Sequence, residues 1–209
     1  MPEGIALIAG LGNPGDKYAM TRHNVGLWFI EKLQRAYSIH FSLEKKFKAE
    51  TGQFSYNGKN IRVIVPNTFM NLSGEAIAPM CSFFRISPSN VLVVHDELDF
   101  EPGTVKLKVG GGHGGHNGLR DIISRLGSND FVRLRIGIGH PGNSNQVSNY
   151  VLKRPNHADS EKIESAIDQA IAVVPDIFNG NYQKIMDVLH RQDTSERFDQ
   201  KSVENHNGN

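Results

Sequence analysis

Ile5-Ala6-Leu7-Ile8-Ala9, closed by Gly10-Leu11-Gly12-Asn13-Pro14-Gly15, is the stretch that decides the fold. An unbroken apolar run of this length, without polar alternation, predicts a strand buried on both faces, as found inside a mostly parallel sheet. Val91-Leu92-Val93-Val94 repeats the pattern. Around these runs the period becomes helical. Thr21 is placed to cap a helix reaching about Tyr37, with Val25, Phe29, Ile30 and Leu33 on one face. Further strands are predicted near 50–56, at Ile61–Val65, at Thr104–Val109 and at Val132–Ile136. In Thr104–Val109, Val105, Leu107 and Val109 share one face, and Lys106 and Lys108 the other. Helices are predicted over Ser73–Phe84 (with Pro79 inside), Leu119–Leu126, His157 to about Phe178, and Tyr182–Leu189. Strands alternating with helices give an α/β fold with a mixed sheet. No repeat and no linker-like boundary precedes residue 190, and Arg191–Asn209 reads as a polar, flexible tail.

The 209 residues are enough for one sizeable core. No apolar run reaches the length of a bilayer span. Met1-Pro2-Glu3 offers no basic start for a signal peptide, and Cys81, the one cysteine, excludes a disulfide scaffold and a Cys-rich zinc module. A reduced, cytoplasmic, soluble protein is expected. The net charge of +1 is unevenly spread: residues 103–154 carry eight basic side chains against two acidic, while residues 155–209 carry five against ten. One face built to dock a polyanion has this distribution, although scattered surface charge has it too.

Gly10–Gly15 fits the dinucleotide-binding expression, but Pro14 and Asp16–Met20 delay the helix that would have to meet a pyrophosphate. What remains is a sharply turning loop that something can approach. His23, in Thr21-Arg22-His23-Asn24, falls in the first turn of a helix. There the dipole favours a neutral, proton-accepting imidazole, and an ordinary surface histidine is the alternative. Pro66–Gly74 joins a strand to a helix, where α/β proteins place sites, and Asn71 within it is either functional or a turn residue. His95-Asp96-Glu97-Leu98-Asp99 closes a buried strand with polar residues. Metal ligation and a carboxylate orienting a distant histidine both remain open. Gly110–Gly118 holds five glycines within 110–115, then His116-Asn117; His113 and His116 lack a third ligand at a standard zinc spacing.

There is no Gly-x-Ser-x-Gly elbow and no phosphate loop, and Cys81 lies on an apolar helix face. His23, Asp96 and several asparagines are left for chemistry. A histidine with an orienting aspartate and no nucleophile suggests a base that activates water, and asparagine amides suit a peptide backbone or a developing oxyanion.

Taken in order, Gly10–Gly26, Asn67–Gly74, His95–Asp99, Gly110–Asp121 and Arg133–Pro141 resemble the bacterial peptidyl-tRNA hydrolase family over about residues 5–190. The resemblance implies one α/β domain over residues 1–191, a twisted, mixed, mostly parallel sheet flanked by helices, with 192–209 outside it. It implies hydrolysis of the ester between a peptide and the 3′ end of tRNA. His23 is then the catalytic base, Asp96 its partner, and Asn13 a further catalytic residue. Tyr18, Phe69, Met70, Asn71, His116 and Asn117 would contact the substrate, and Lys106, Lys108, Arg133 and Arg135 the tRNA phosphates. The expected partner is the acceptor stem and 3′ end of peptidyl-tRNA. No cofactor, metal or membrane, and a monomer, are expected. Two rivals stand beside it: an RNA-binding module without catalysis, and a metal hydrolase using His95, Asp96, His113 and His116.

Overall fold

The computed structural model describes residues 4–189, so the expected tail at 192–209 lies outside the described residues. One sheet of seven strands organises the chain: β1 Leu7–Gly10, β2 Ser42–Glu44, β3 Ala49–Tyr56, β4 Lys59–Pro66, β5 Val91–Glu97, β6 Val105–Val109 and β7 Val132–Gly137, in the order β2-β3-β4-β1-β5-β7-β6. β4, β1, β5 and β7 pair in parallel, and β2, β3 and β6 add antiparallel pairings at the two sides. β3 and β4 close through Asn57-Gly58, both at positive φ, the backbone a two-residue hairpin turn needs.

The helices are α1 Asp16–Ala19, α2 Val25–Tyr37, α3 Gly74–Phe84, α4 Asn117–Leu126, α5 Val147–Val151, α6 His157–Phe178 and a last helical stretch over 182–189. They cover both faces of the sheet. Ile8, Leu92 and Val94 pack into one core with Phe29 and Leu33 of α2 and Ile163 and Ile167 of α6. Leu7, Ala9, Val91 and Val93 point the other way, to Ile77 and Met80 of α3 and Leu119 and Ile122 of α4. Alternate residues of β1 and β5 thus enter different cores, which is why both runs are apolar throughout. Burying each of the larger side chains contributes about 1.5–3 kcal/mol. No described helix is long and apolar enough to cross a membrane.

Three local expectations change. The helix expected from Thr21 begins at Val25, after the turn of α1 and a 3-10 turn at Arg22–Asn24. Thr21 does not cap it, because its hydroxyl donates back to the Tyr18 carbonyl. Val109 is exposed rather than sharing the buried face of Val105 and Leu107, since β6 is an edge strand. β5 runs on through His95 and Asp96 to Glu97, held by pairing with Arg135, Ile136 and Gly137.

The chain proceeds from β1 toward β2 on one side and from β5 toward β6 on the other. The carboxyl ends of β1 and β5 therefore meet at a reversal of strand order, the usual place for a crevice in such sheets. α2 is pressed onto this point. A Cβ on Gly26 would lie 2.5 Å from the Val94 carbonyl oxygen and 2.6 Å from that of Leu11, so only glycine permits the approach. That approach brings His23, just upstream, over the end of β5.

Candidate active site

A cavity of about 340 Å³ opens at the carboxyl ends of β1 and β5. Asn13, Tyr18, His23, Phe69, Met70, Asn71, Asp96, His116 and Asn117 all line it, although they come from four separate stretches of sequence. His95, Glu97, Leu98 and His113 extend its wall, and α5 closes one side with Val147, Ser148 and Val151.

Its centre is one carboxylate between two imidazoles. His23 Nδ1 lies 2.9 Å from each oxygen of Asp96, and His116 Nε2 lies 2.9 Å from Asp96 Oδ1. Asp96 is 3% exposed and His23 9%. Burial alone would raise the Asp96 carboxyl, but the charges and hydrogen bonds of His23 and His116 outweigh it and hold the carboxyl well below its usual range. Burial alone would lower the His23 imidazole. The Asp96 charge and its hydrogen bond win, and the net shift is upward, against the helix-dipole expectation from the sequence.

Hydrogen bonding fixes both tautomers. His116 is the N-cap of α4: its Nδ1 accepts from the backbone N–H of Gly118 at 3.1 Å and of Leu119 at 3.3 Å. A nitrogen that accepts carries no proton, so His116 Nε2 is the N–H and donates to Asp96. His23 Nδ1 likewise donates to the ionised Asp96. Its Nε2 has no hydrogen-bond partner among the described residues and keeps its lone pair.

Asn13 is set in the same way. Its backbone N–H donates to Asn24 Oδ1 at 2.8 Å and its carbonyl accepts from Asn24 Nδ2 at 2.9 Å. Its side-chain Oδ1 accepts from the Met70 N–H at 2.8 Å, so its Nδ2 is the remaining, donating end. Sequence reasoning passed over Asn24; its position directly after His23 carried no signal of this role. Asn71 and Asn117 are exposed on the rim, with Asn117 Oδ1 accepting from Arg120 at 3.1 Å. Tyr18 and the exposed Phe69 meet edge to face with centroids 6.3 Å apart.

His95 lies beneath the site. Its Nδ1 lies 2.7 Å from the Asp96 carbonyl oxygen, and burial, with the neighbouring His116 and Arg133, pushes its pKa down to about 3, so it stays neutral. His23, Asp96 and His116 are grouped closely enough to hold a metal ion. The tautomers oppose this: a ligating His116 Nε2 would need the proton on Nδ1, facing two N–H donors.

The basic residues sit at the β6–β7 edge. Lys106 pairs across from Arg135 and Lys108 from Arg133, which puts all four on one face. Arg135 Nε contacts Glu97 at 2.9 Å, and the Lys106 and Arg135 cations both lie over the Phe100 ring. Lys108 is exposed. Arg133 departs from the sequence expectation of an outward phosphate ligand. It is 3% exposed and turned beneath the glycine loop, donating to the carbonyls of Gly111 and Gly112.

Residues 7–197 match the model of a family described as peptidyl-tRNA hydrolase. The peptidyl-tRNA hydrolases of Pseudomonas fluorescens SBW25 and Pseudomonas putida F1 are each 52% identical over 189 residues, covering 90% of this chain and 97% of theirs. The crystal structure of peptidyl-tRNA hydrolase from Acinetobacter baumannii superposes with a TM-score of 0.86 at 45% identity, covering 90% of this chain and 95% of that one.

Proposed function

The chain belongs to the peptidyl-tRNA hydrolase family and hydrolyses peptidyl-tRNA, and from that premise we propose that His23 is the general base of the reaction, with Asp96 as its orienting partner. The observation that carries the reading is the unpartnered Nε2 of His23, a ring that Asp96 holds through Nδ1 at the wall of an asparagine-lined cavity.

The substrate ester joins a peptide carboxyl to the ribose of the 3′-terminal nucleotide. His23 Nε2 takes a proton from water as the water oxygen bonds to the ester carbonyl carbon. Asn13 Nδ2 donates to the oxyanion that forms, and Asp96 stabilises the imidazolium. The carbon–oxygen bond to ribose then breaks, and the imidazolium returns its proton to the departing oxygen. Free peptide and tRNA with a 3′ hydroxyl result, and no protein atom bonds to substrate. General-base catalysis contributes about 10²–10⁴-fold and one oxyanion donor about 10²–10³-fold. Tyr18, Phe69, Met70, Asn71 and Asn117 line the place for the peptide and the terminal nucleotide, while His116 holds Asp96. A substrate made on ribosomes supports a cytoplasmic location.

No metal enters this route. Hydrolysis of N-acetylaminoacyl-tRNA is expected to proceed at the same rate after exhaustive treatment with chelator. A loss restored by zinc would favour the metal hydrolase instead. That assay also tests the function itself, because an RNA-binding module releases nothing.

Lys106, Lys108 and Arg135 supply the phosphate-facing edge, and contacts to phosphate serve every tRNA alike. The double variant Lys106→Ala with Arg135→Ala is expected to raise KM for the tRNA ester with kcat little changed. The slope of log(kcat/KM) against log salt should flatten by about 0.7–0.9 for each phosphate that the variant no longer neutralises. An unaltered slope would remove this edge from the tRNA site.

A further inference from the structure

Arg133 is a cation that the fold buries without giving it, among the described residues, a carboxylate within hydrogen-bonding distance. Its guanidinium cannot discard its proton, so the charge stays. Nη1 and Nη2 donate to the Gly112 and Gly111 carbonyls, Nε has no partner among the described residues, and Cζ lies 4.6 Å from the Phe131 centroid. Burying an arginine this way is costly unless hydrogen bonds or an opposite charge compensate it.

The two carbonyls drawn inward dictate the outer face of the loop. In a trans peptide the N–H points opposite to the C=O. The N–H of Gly112 and of His113 therefore point away from Arg133, and neither meets an acceptor among the described residues. Lys108 reaches the same loop: a Cβ on Gly111 would lie 3.0 Å from its Nζ. Two outward donors, an exposed ammonium and a buried guanidinium converge on one strip of backbone. His113 and Gly114, in the same loop, line the cavity of His23.

We propose that the Gly111–His113 backbone is an anion seat for a phosphodiester of the substrate's 3′ strand, with Arg133 as the positioning residue that shapes and charges it from below. The inference rests on the tRNA-ester reading and assigns one more contact within it. Two outward N–H groups on adjacent peptides suit a single tetrahedral phosphate, and backbone donors are blind to base identity. Arg133 thus acts on tRNA through the loop, unlike Arg135 on the same face.

The test compares two substrates: full-length N-acetylaminoacyl-tRNA and 3′-O-(N-acetylaminoacyl)adenosine, which has no phosphate. Arg133→Met should raise KM for the tRNA ester about tenfold or more, and its loss in kcat/KM on that substrate should exceed the loss on the adenosine ester by about the same factor. Arg133→Lys should recover part of this. Gly112→Pro, which deletes one outward donor, should weaken the tRNA ester more than Gly112→Ala, which keeps it and meets open space. The affinity of uncharged tRNA at several salt concentrations gives a readout free of catalysis, and its slope should flatten in Arg133→Met by about 0.7–0.9. Equal losses on both esters, or an unchanged slope, would overturn the seat. A wild type inert toward both esters, yet binding tRNA in an Arg133-dependent way, would refute the esterase reading and leave the seat standing.

Discussion

His23→Ala is expected to lower kcat for N-acetylaminoacyl-tRNA by about 10³-fold, within the range that general-base catalysis supplies. Binding should change little, because the side chains proposed to meet phosphate, Lys106, Lys108 and Arg135, are carried by β6 and β7 and are left unaltered. The variant should also fold. Asp96 loses one hydrogen-bond donor but keeps the His116 Nε2–H at 2.9 Å, so its buried charge is not orphaned. His23→Asn is the companion measurement: its amide can still donate to Asp96 yet cannot accept a proton from water at neutral pH. Both variants should be comparably slow, with thermal unfolding close to wild type. Turnover within tenfold of wild type in either would show that the base lies elsewhere.

Asp96→Asn should be nearly as severe, with a kcat loss of about 10³–10⁴-fold by the logic of an orienting aspartate. Asp96 Oδ1 accepts from both imidazoles, while Oδ2 faces only His23 Nδ1. An amide oxygen can keep the bonds of Oδ1, but an NH2 group in place of Oδ2 would point its hydrogens at the His23 Nδ1–H. The ring relieves this by moving its proton to Nε2, which removes the lone pair that water needs. The residual activity has a diagnostic pH dependence. In the proposed mechanism the working form of His23 is neutral, so the wild-type rate is expected to fall as pH drops through a pKa raised above 6.5. Without the carboxylate only burial, which lowers the pKa, remains of the causes acting on His23. The acid limb should move to lower pH. A limb that stays in place would mean that Asp96 does not set the protonation of His23.

How far these features could be read in advance depended on whether the signal was local. β1 and β5 were legible because strands covered on both faces must be apolar at every position, as Leu7–Ala9 and Val91–Val94 are. β2, only Ser42–Glu44, was not, since it carries no buried pattern. The pairing of His23 with Asp96 was suggested by the residues left for chemistry and assigned by the resemblance, but the physical cause of their meeting is Gly26, whose missing side chain lets α2 approach the ends of β1 and β5. His116 was expected as a substrate contact. Its capping of α4, which fixes the N–H toward Asp96, depends on backbone geometry that spacing does not reveal. Arg133 and Arg135 look equivalent in an alternating strand. They differ because the glycine loop folds back over one of them, while Glu97 and Phe100 hold the other.

The central claim concerns the state of one ring nitrogen, and nitrogen-15 NMR of the His23 imidazole across pH, overlaid on the profile of kcat/KM, addresses it directly. The account predicts a proton on Nδ1, an unprotonated Nε2 at neutral pH, and a titration above 6.5 that coincides with the acid limb of activity. A neutral ring protonated at Nε2, or a titration that does not coincide with the limb, would contradict it.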